Sequence, residues 1–278
     1  MEPGAGVQRT EPPIGVFDSG VGGLTVLRAL RERLPGESFL YLGDTARLPY
    51  GTKSAETVCR YAEQAASILV DHGVKALVIA CNTASSVALE HLRRRFAPLP
   101  VFGVIEPGAE AAVAASRRGE ILVIATEGTV RGGAYERAIR ALRPAAAVIS
   151  TPCPLFVALA EEGWVEGPIA EAIARRYLEP ILAGRPEIDA LVLGCTHFPV
   201  LHRAIGAVTG PDVTLVDSAA TTAAVVAASV EEGLLRPSRA VSREIRFLAT
   251  DAPQRFARVG AVFLGEAIAP TAVELVDL

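Results

Sequence analysis

The chain carries two matching stretches, KALVIACNT at residues 75–83 and DALVLGCTH at residues 189–197. Each is a short aliphatic run followed by a helical pattern, which is typical of a strand buried in a parallel sheet. Cys81 and Cys195 therefore come at the carboxyl ends of their strands, where open α/β sheets bind ligands. If the two parts of the chain face each other, both sulfurs can approach one small molecule from opposite sides. That arrangement suits removal of a proton from one face of a carbon and its return on the other face.

Around these stretches, apolar strands alternate with longer amphipathic segments, which is the pattern of a βαβ protein. The cysteine strands and the strands predicted at residues 14–17 and 121–125 recur about half a chain apart, so a duplicated unit is the simplest explanation. We expect an α/β fold of two similar domains, whose central, mostly parallel sheets are flanked by helices and related by a pseudo-twofold axis.

The division into domains depends on which sheet the last predicted strand, near residues 246–249, joins. If this strand joins the sheet of the first unit, the first domain consists of residues 1–104 plus 215–278, with Asp18 and Cys81. The second domain then consists of residues 105–214, with Glu161, Cys195 and His197. The active site would then lie in the cleft between the domains, a common place for ligand binding. The strand predicted at residues 101–105 runs into Glu106-Pro107-Gly108, and no helix is predicted between it and residue 121, or after residue 249.

Composition excludes several classes of function. The 278-residue chain is 50% hydrophobic, carries a net charge of −4, and has no basic region beyond the helix end at residues 93–95, so nucleic acid is not expected as a partner. No apolar stretch approaches the roughly 20 residues that cross a bilayer. Residues 1–13 lack the apolar core of a signal peptide and are expected to form a flexible tail. We therefore expect a cytoplasmic protein.

The cysteines and lysines bear on cofactors and metals. The cysteines lie far apart, so reduced thiols are expected; they are Cys59, Cys81, Cys153 and Cys195. A zinc site needs three or four ligands, and only Cys195, His197 and His202 cluster at all, so no metal is expected. Lysine occurs only at positions 53 and 75, which leaves few candidates for a pyridoxal-phosphate Schiff base. A mechanism without a cofactor is favoured.

Two groups of polar residues follow the predicted strands. The segment DSGVGG at residues 18–23 ends a strand and opens a helix, so its N–H groups could bind an anion or could simply form a tight turn. Asp18 brings a carboxylate to the carboxyl end of its strand. Asn82-Thr83 and Thr196-His197 directly follow the cysteines, where they can cap a helix, bind a charged substrate, or do both.

Either cysteine alone could be a small buried hydrophobic residue. Two at matching positions indicate reactivity, because a helix N-terminus lowers the pKa of a thiol from about 8.5. His197 and a carboxylate at position 161 or 162 could tune the second thiol. Cys59, on a polar helix, and Cys153, between two prolines, are expected to be structural.

Taken together, these residues resemble the successive signatures of the glutamate racemase family over nearly the whole chain. The stretches that carry the resemblance are IGVFDSGVGGLTVL at residues 14–27, GDTARLPYG at 43–51, IACNTAS at 79–85 and LGCTHFP at 193–199, with EGT at 127–129, CPLF at 153–156 and VDS at 216–218. Two positions depart from the family pattern. Phe198 stands where tyrosine is common, and Ala125 where glycine is common.

The resemblance implies a cofactor-independent interconversion of L- and D-glutamate that supplies D-glutamate for peptidoglycan, carried out by a homodimer. It assigns the acid and base roles to Cys81, which acts on D-glutamate, and to Cys195, which acts on L-glutamate. Asp18 would assist Cys81, and His197 with Glu161 would assist Cys195. The motif alone does not separate Glu161 from the adjacent Glu162 in this role. The residues implied to hold substrate are Asp18, Ser19, Pro49, Tyr50, Gly51, Asn82, Thr83, Thr129, Thr196 and His197.

The sequence leaves three other functions open. A racemase of a related acidic amino acid, such as aspartate, would need both cysteines. A non-catalytic module could clamp an acidic ligand between its domains without exchanging hydrogen at the α-carbon. A redox sensor would join Cys81 to Cys195 in a disulfide under mild oxidation.

Overall fold

A computed structural model describes residues 11–238 and 244–278. Residues 1–10 of the tail expected at the amino terminus lie outside the described residues. The strands are β1 (Ile14–Asp18), β2 (Phe39–Gly43), β3 (Ala76–Ile79), β4 (Val101–Gly103), β5 (Glu120–Ala125), β6 (Ala147–Pro152), β7 (Ala190–Gly194), β8 (Thr214–Asp217), β9 (Ile245–Ala249) and β10 (Val273–Leu275). The helices are α1 (Leu24–Arg33), α2 (Ala55–Asp71), α3 (Asn82–Arg95), α4 (Ile105–Ala115), α5 (Glu127–Gly132), α6 (Ala134–Leu142), α7 (Pro154–Glu161), α8 (Pro168–Gly184), α9 (His202–Thr209), α10 (Ser218–Glu231) and α11 (Pro253–Leu264).

The strands form two parallel sheets. The first has the order β10-β9-β2-β1-β3-β4 and the second the order β6-β5-β7-β8. The order β2-β1-β3-β4 in the first sheet repeats as β6-β5-β7-β8 in the second, so each cysteine strand has the same neighbours in its own sheet. The fold class and the duplicated unit predicted from sequence are thus confirmed. We call each sheet with its connecting helices the first half and the second half.

The chain passes from one sheet to the other twice. It leaves the first sheet after β4, and it returns through α10 to β9, which pairs with β2. β8 pairs with β7, so the chain leaves the second sheet after Asp217, past the boundary expected at residues 214 and 215. The assignment of residues to two domains stays a prediction.

Burial of the central strands follows from their aliphatic sequences. Every residue of β1, β3 and β7 is buried, as expected for strands covered by helices on both faces. Leu77 and Ile79 of β3 pack with the apolar face of α2, and Leu191 and Leu193 of β7 lie in the core with Phe198. This packing holds the carboxyl ends of β3 and β7 in fixed positions.

Several helices begin at a residue whose side chain caps the first turn. Ser54 accepts a hydrogen bond from the Thr57 N–H at the start of α2, and Asp217 accepts one from the Ala219 N–H at the start of α10. At the start of α5, Thr126 accepts from the N–H of Thr129. The turn at Thr126-Thr129 therefore becomes a short helix at the carboxyl end of β5.

Helices α4 and α11 were among those not predicted from the sequence. The segment that begins at Glu106-Pro107-Gly108 belongs to α4, because a proline in the first helical turn removes no intrahelical hydrogen bond. α11 begins at Pro253, directly after a residue with positive φ, Ala252. Among residues 11–238 and 244–278, no helix has the length and apolarity to cross a bilayer.

Candidate active site

Cys81 lies at the N-cap of α3, directly after β3. Its Sγ accepts a hydrogen bond from the Ala84 N–H at 3.4 Å and donates to Ser19 Oγ at 3.5 Å. Burial raises the pKa of Cys81 to about 12, with a further rise from the charges of Asp18 and Cys195; the contacts with Ser19 and Ala84 act in the opposite direction. Cys81 is therefore a protonated thiol at neutral pH.

Asp18 ends β1 and is completely buried beside Cys81. Its Oδ2 accepts from the Gly20 N–H at 2.9 Å, and its Oδ1 accepts from the Thr196 hydroxyl of the second half at 3.5 Å. Burial raises the pKa of Asp18, while the charge of His197 and the backbone N–H groups of the following turn lower it. A carboxyl group with a raised pKa accepts a proton more readily than an ordinary aspartate.

Cys195 follows β7 and contacts the imidazole of His197. Cys195 Sγ lies 3.8 Å from His197 Nδ1, and His197 Nε2 lies 3.3 Å from Glu161 Oε1. Burial acts to lower the pKa of His197, but the contacts with Cys195 and Glu161 and the charge of Asp18 outweigh it and raise the pKa to about 10. The imidazole is therefore protonated at neutral pH, with one N–H directed at the sulfur and the other at the carboxylate.

The structure distinguishes between the two adjacent glutamates at the end of α7. Glu161 faces His197, whereas Glu162 is exposed. The second carboxylate oxygen of Glu161 accepts from Arg255 at 2.7 Å. The hydrogen bond with His197 lowers the pKa of Glu161 against the opposing effect of burial, and Arg255 lowers it further, so this side chain is a carboxylate.

Polar side chains from both halves meet beside the start of α3. The Thr83 hydroxyl lies 2.9 Å from that of Thr126 and 3.1 Å from that of Thr129. Asn82 donates from Nδ2 to the Tyr135 hydroxyl at 2.9 Å, while its buried Oδ1 has no hydrogen-bond partner among the described residues. A free buried acceptor carries an energetic cost unless a ligand donates to it.

The loop with Pro49, Tyr50 and Gly51 lies against the second half. The Tyr50 side chain is buried with its hydroxyl donating to Asp44, so any substrate contact of Tyr50 would come from its backbone. A Cβ at Gly51 would lie 2.7 Å from Cβ of Thr126. Beside this contact a pocket of about 260 Å³ opens between the loop and α7, with Pro49, Gly51 and Glu161 in its lining.

The two groups around the thiols belong to one cleft, because the halves touch directly between them. The hydroxyl of Thr25 donates to the Thr196 carbonyl at 3.1 Å. A Cβ on Gly22 would lie 2.4 Å from His197 Nδ1, so only glycine allows this approach. In the described part of the chain, no group of three or more His, Cys, Asp or Glu side chains is arranged to hold a metal ion.

The structure thus brings Asp18, Ser19 and Cys81 together with Thr196 and His197 of the other half. Sequence reasoning missed Thr126, Tyr135 and Arg255. Thr126 could have been found, because it follows the carboxyl end of β5 as Ser19 follows that of β1. No local signal marks Tyr135 or Arg255, whose contacts come from distant parts of the chain.

The chain is similar over most of its length to proteins of one family. Residues 14–227 match the family described as Asp/Glu/Hydantoin racemase. A glutamate racemase of Geobacter metallireducens is 52% identical over 91% of this chain and 92% of that protein. The crystal structure of a glutamate racemase from Francisella tularensis in complex with D-glutamate has 39% identity and a TM-score of 0.86, and covers 96% of this chain and 97% of that chain.

A second solved structure agrees more closely in backbone. The glutamate racemase from Bacillus anthracis has a TM-score of 0.90 and 36% identity, and covers 97% of this chain and 99% of that chain. A match of this length includes both sheets. The chain therefore belongs to the Asp/Glu/hydantoin racemase family and, within it, to the glutamate racemases.

Proposed function

We propose that this protein interconverts L- and D-glutamate without a cofactor, with Cys81 and Cys195 as the two acid/base groups. The observation that carries the proposal is the placement of two buried thiols at equivalent strand ends, one beside Asp18 and the other beside His197. The relative from Francisella tularensis, whose structure contains D-glutamate, supports the choice of substrate.

The α-hydrogen of an amino acid is a very weak acid, so the base that removes it must be strong. A buried thiolate meets this need, because the same burial that raises the pKa of Cys81 makes its conjugate base a strong one. The opposite thiol must be protonated at the same moment in order to deliver hydrogen to the other face. Each turnover therefore exchanges the protonation states of the two cysteines.

The neighbours of each thiol suit this exchange. Asp18, with its raised pKa, can accept the Cys81 proton before Cys81 acts on D-glutamate. His197 remains protonated and faces Cys195, which favours the state in which Cys195 acts as base toward L-glutamate. Glu161 holds the imidazole from its other side.

The substrate is held by polar groups on both sides of the cleft. Asn82 Oδ1, buried and without a partner, can accept a hydrogen bond from the substrate ammonium group. Hydroxyls of Thr83, Thr129 and Thr196, with the N–H groups at the start of α3, can bind the α-carboxylate and stabilise the charge that develops on it. The other groups proposed to contact substrate are Asp18, Ser19, Pro49, Tyr50, Gly51 and His197.

We propose a cytoplasmic homodimer that supplies D-glutamate for peptidoglycan. The charge of −4 and the acidic composition agree with a small-molecule substrate and not with nucleic acid.

Two cysteine variants test the proposal. Purified protein is incubated with D-glutamate in the presence of a chelator and without added cofactor, and L-glutamate is measured by chiral chromatography. Wild type and the control Cys59→Ala are expected to racemise glutamate, whereas Cys81→Ala and Cys195→Ala retain the fold and lose the activity. Full activity in either of these two variants would rule out the two-base mechanism. Turnover of aspartate but not of glutamate would show that the protein is a racemase of aspartate.

A further inference from the structure

Arg255 extends the group around Cys195 to the protein surface. Its guanidinium donates to Glu161 Oε2 at 2.7 Å, while the other oxygen of Glu161 faces His197 at 3.3 Å. His197 in turn contacts Cys195. The carboxylate of Glu161 is thus held at both of its oxygens, one by the imidazole and one by the arginine.

The contact of Arg255 with Glu161 crosses the cleft. α11, which carries Arg255, connects β9 and β10 of the first sheet, whereas α7, which carries Glu161, lies between β6 and β7 of the second sheet. The same helix contacts the site at a second point, because the ring of Phe263 packs edge-on against the imidazole of His197, with centroids 5.0 Å apart. α11 therefore reaches both the imidazole and its carboxylate partner from the opposite half.

We propose that Arg255 is a positioning residue, which fixes Glu161 on His197, and thereby His197 on Cys195, when the two halves of the cleft are together. The proposal rests on the racemase function proposed above. Arg255 contacts neither thiol, so its effect on the reaction passes through Glu161.

The strength of the effect follows from exposure. The Arg255 side chain is 50% exposed and that of Glu161 only 16%, so the attraction between them adds little to the stability of the fold. Removal of Arg255, however, leaves one oxygen of the largely buried Glu161 carboxylate without its hydrogen-bond donor. The charged groups that face Glu161 are His197 and Arg255. Without Arg255, Glu161 takes up a proton at higher pH, and a neutral Glu161 holds the imidazolium less well.

The test compares Arg255→Gln with Arg258→Gln, which changes an exposed arginine on the same helix. We expect Arg255→Gln to lower kcat about threefold to tenfold, to move the acidic limb of the pH profile to higher pH, and to leave the melting temperature near that of Arg258→Gln. Arg255→Lys keeps the charge and is expected to recover part of the loss. In a Glu161→Gln background, Arg255→Gln is expected to cause no further decrease.

Three results would overturn the inference. One is an Arg255→Gln variant whose kcat and acidic limb match wild type, and another is a full additional loss in the Glu161→Gln background, which would mean that Arg255 acts by another route. Both leave the racemase function intact, because wild type serves as the reference in each. Absence of glutamate racemisation in wild type would overturn the proposed function and this inference together.

Discussion

At the residue scale, the two thiols have unlike neighbours. Cys81 has the buried carboxyl group of Asp18 beside it. Burial and the charge of Asp18 raise the pKa of Cys81 and keep its thiol protonated. Cys195 has a protonated imidazole beside it. The unlike neighbours fit a reaction in which one thiol must be protonated while the other acts as base.

The pKa of His197 predicts a pH dependence of stability. The folded pKa of about 10 lies above the ordinary value of 6.5, so the contribution of the charged imidazole is fully present below about pH 6.5 and is lost as pH rises through about 10. We expect the free energy of unfolding of wild type to fall relative to that of His197→Gln over this interval. Urea unfolding at several pH values measures the difference, and a constant difference would contradict the assigned pKa.

Much of the residue-scale site could be predicted from the sequence. Cys81, Cys195 and Asp18 each follow an aliphatic strand, and the carboxyl ends of parallel strands share one edge. The choice between Glu161 and Glu162 could not be predicted, because neighbours on a helix point about 100° apart and only the packing of α7 shows which one faces His197. The hydrogen bond from the Tyr50 hydroxyl to Asp44 could not be predicted either, since the two residues face each other only in the folded loop.

At the element scale, the turn between β1 and α1 fits against the second half because Gly22 has no side chain. Gly22 has no positive φ in the structure, so its requirement for glycine comes from space and not from backbone conformation. The sequence motif at residues 18–23 predicted a turn or an anion-binding loop. Its close contact with His197 and Thr196 is a third role that the local sequence does not reveal.

Gly22→Ala tests this contact. The added Cβ would meet His197 Nδ1 at 2.4 Å and Thr196 Oγ1 at 2.5 Å, so these groups must shift. We expect a loss of about 1–3 kcal/mol in the free energy of unfolding and a decrease in kcat of more than about tenfold, since misplacement of an acid/base group by 1 Å can cost two orders of magnitude.

Gly36→Ala is the matched control, because a Cβ at Gly36 would meet no atom within 4 Å. Its stability is expected to lie within about 0.5 kcal/mol of wild type, with unchanged kcat. Equal behaviour of the two variants in urea unfolding and in turnover would show that the halves do not approach at Gly22 as described.

At the scale of the whole molecule, the repeated strand order explains why two thiols face one cleft. Each sheet places its cysteine strand beside the central β1 or β5, and the halves meet at these carboxyl edges. Repetition of the strand pattern was visible in the sequence, whereas the contacts across the cleft were not. Thr25 with Thr196 and Arg255 with Glu161 join residues far apart in the chain, and hydrophobic periodicity carries no information about such pairs.

Labelling by solvent tests the central claim, that the two thiols act on opposite faces of one carbon. D-Glutamate is incubated with the protein in deuterated water, and mass spectrometry at early conversion measures deuterium at the α-carbon of substrate and product separately. Two bases predict L-glutamate that carries solvent deuterium, with little label in the remaining D-glutamate. L-Glutamate that retains the original hydrogen would show that one group removes and returns the same proton, and would contradict the account.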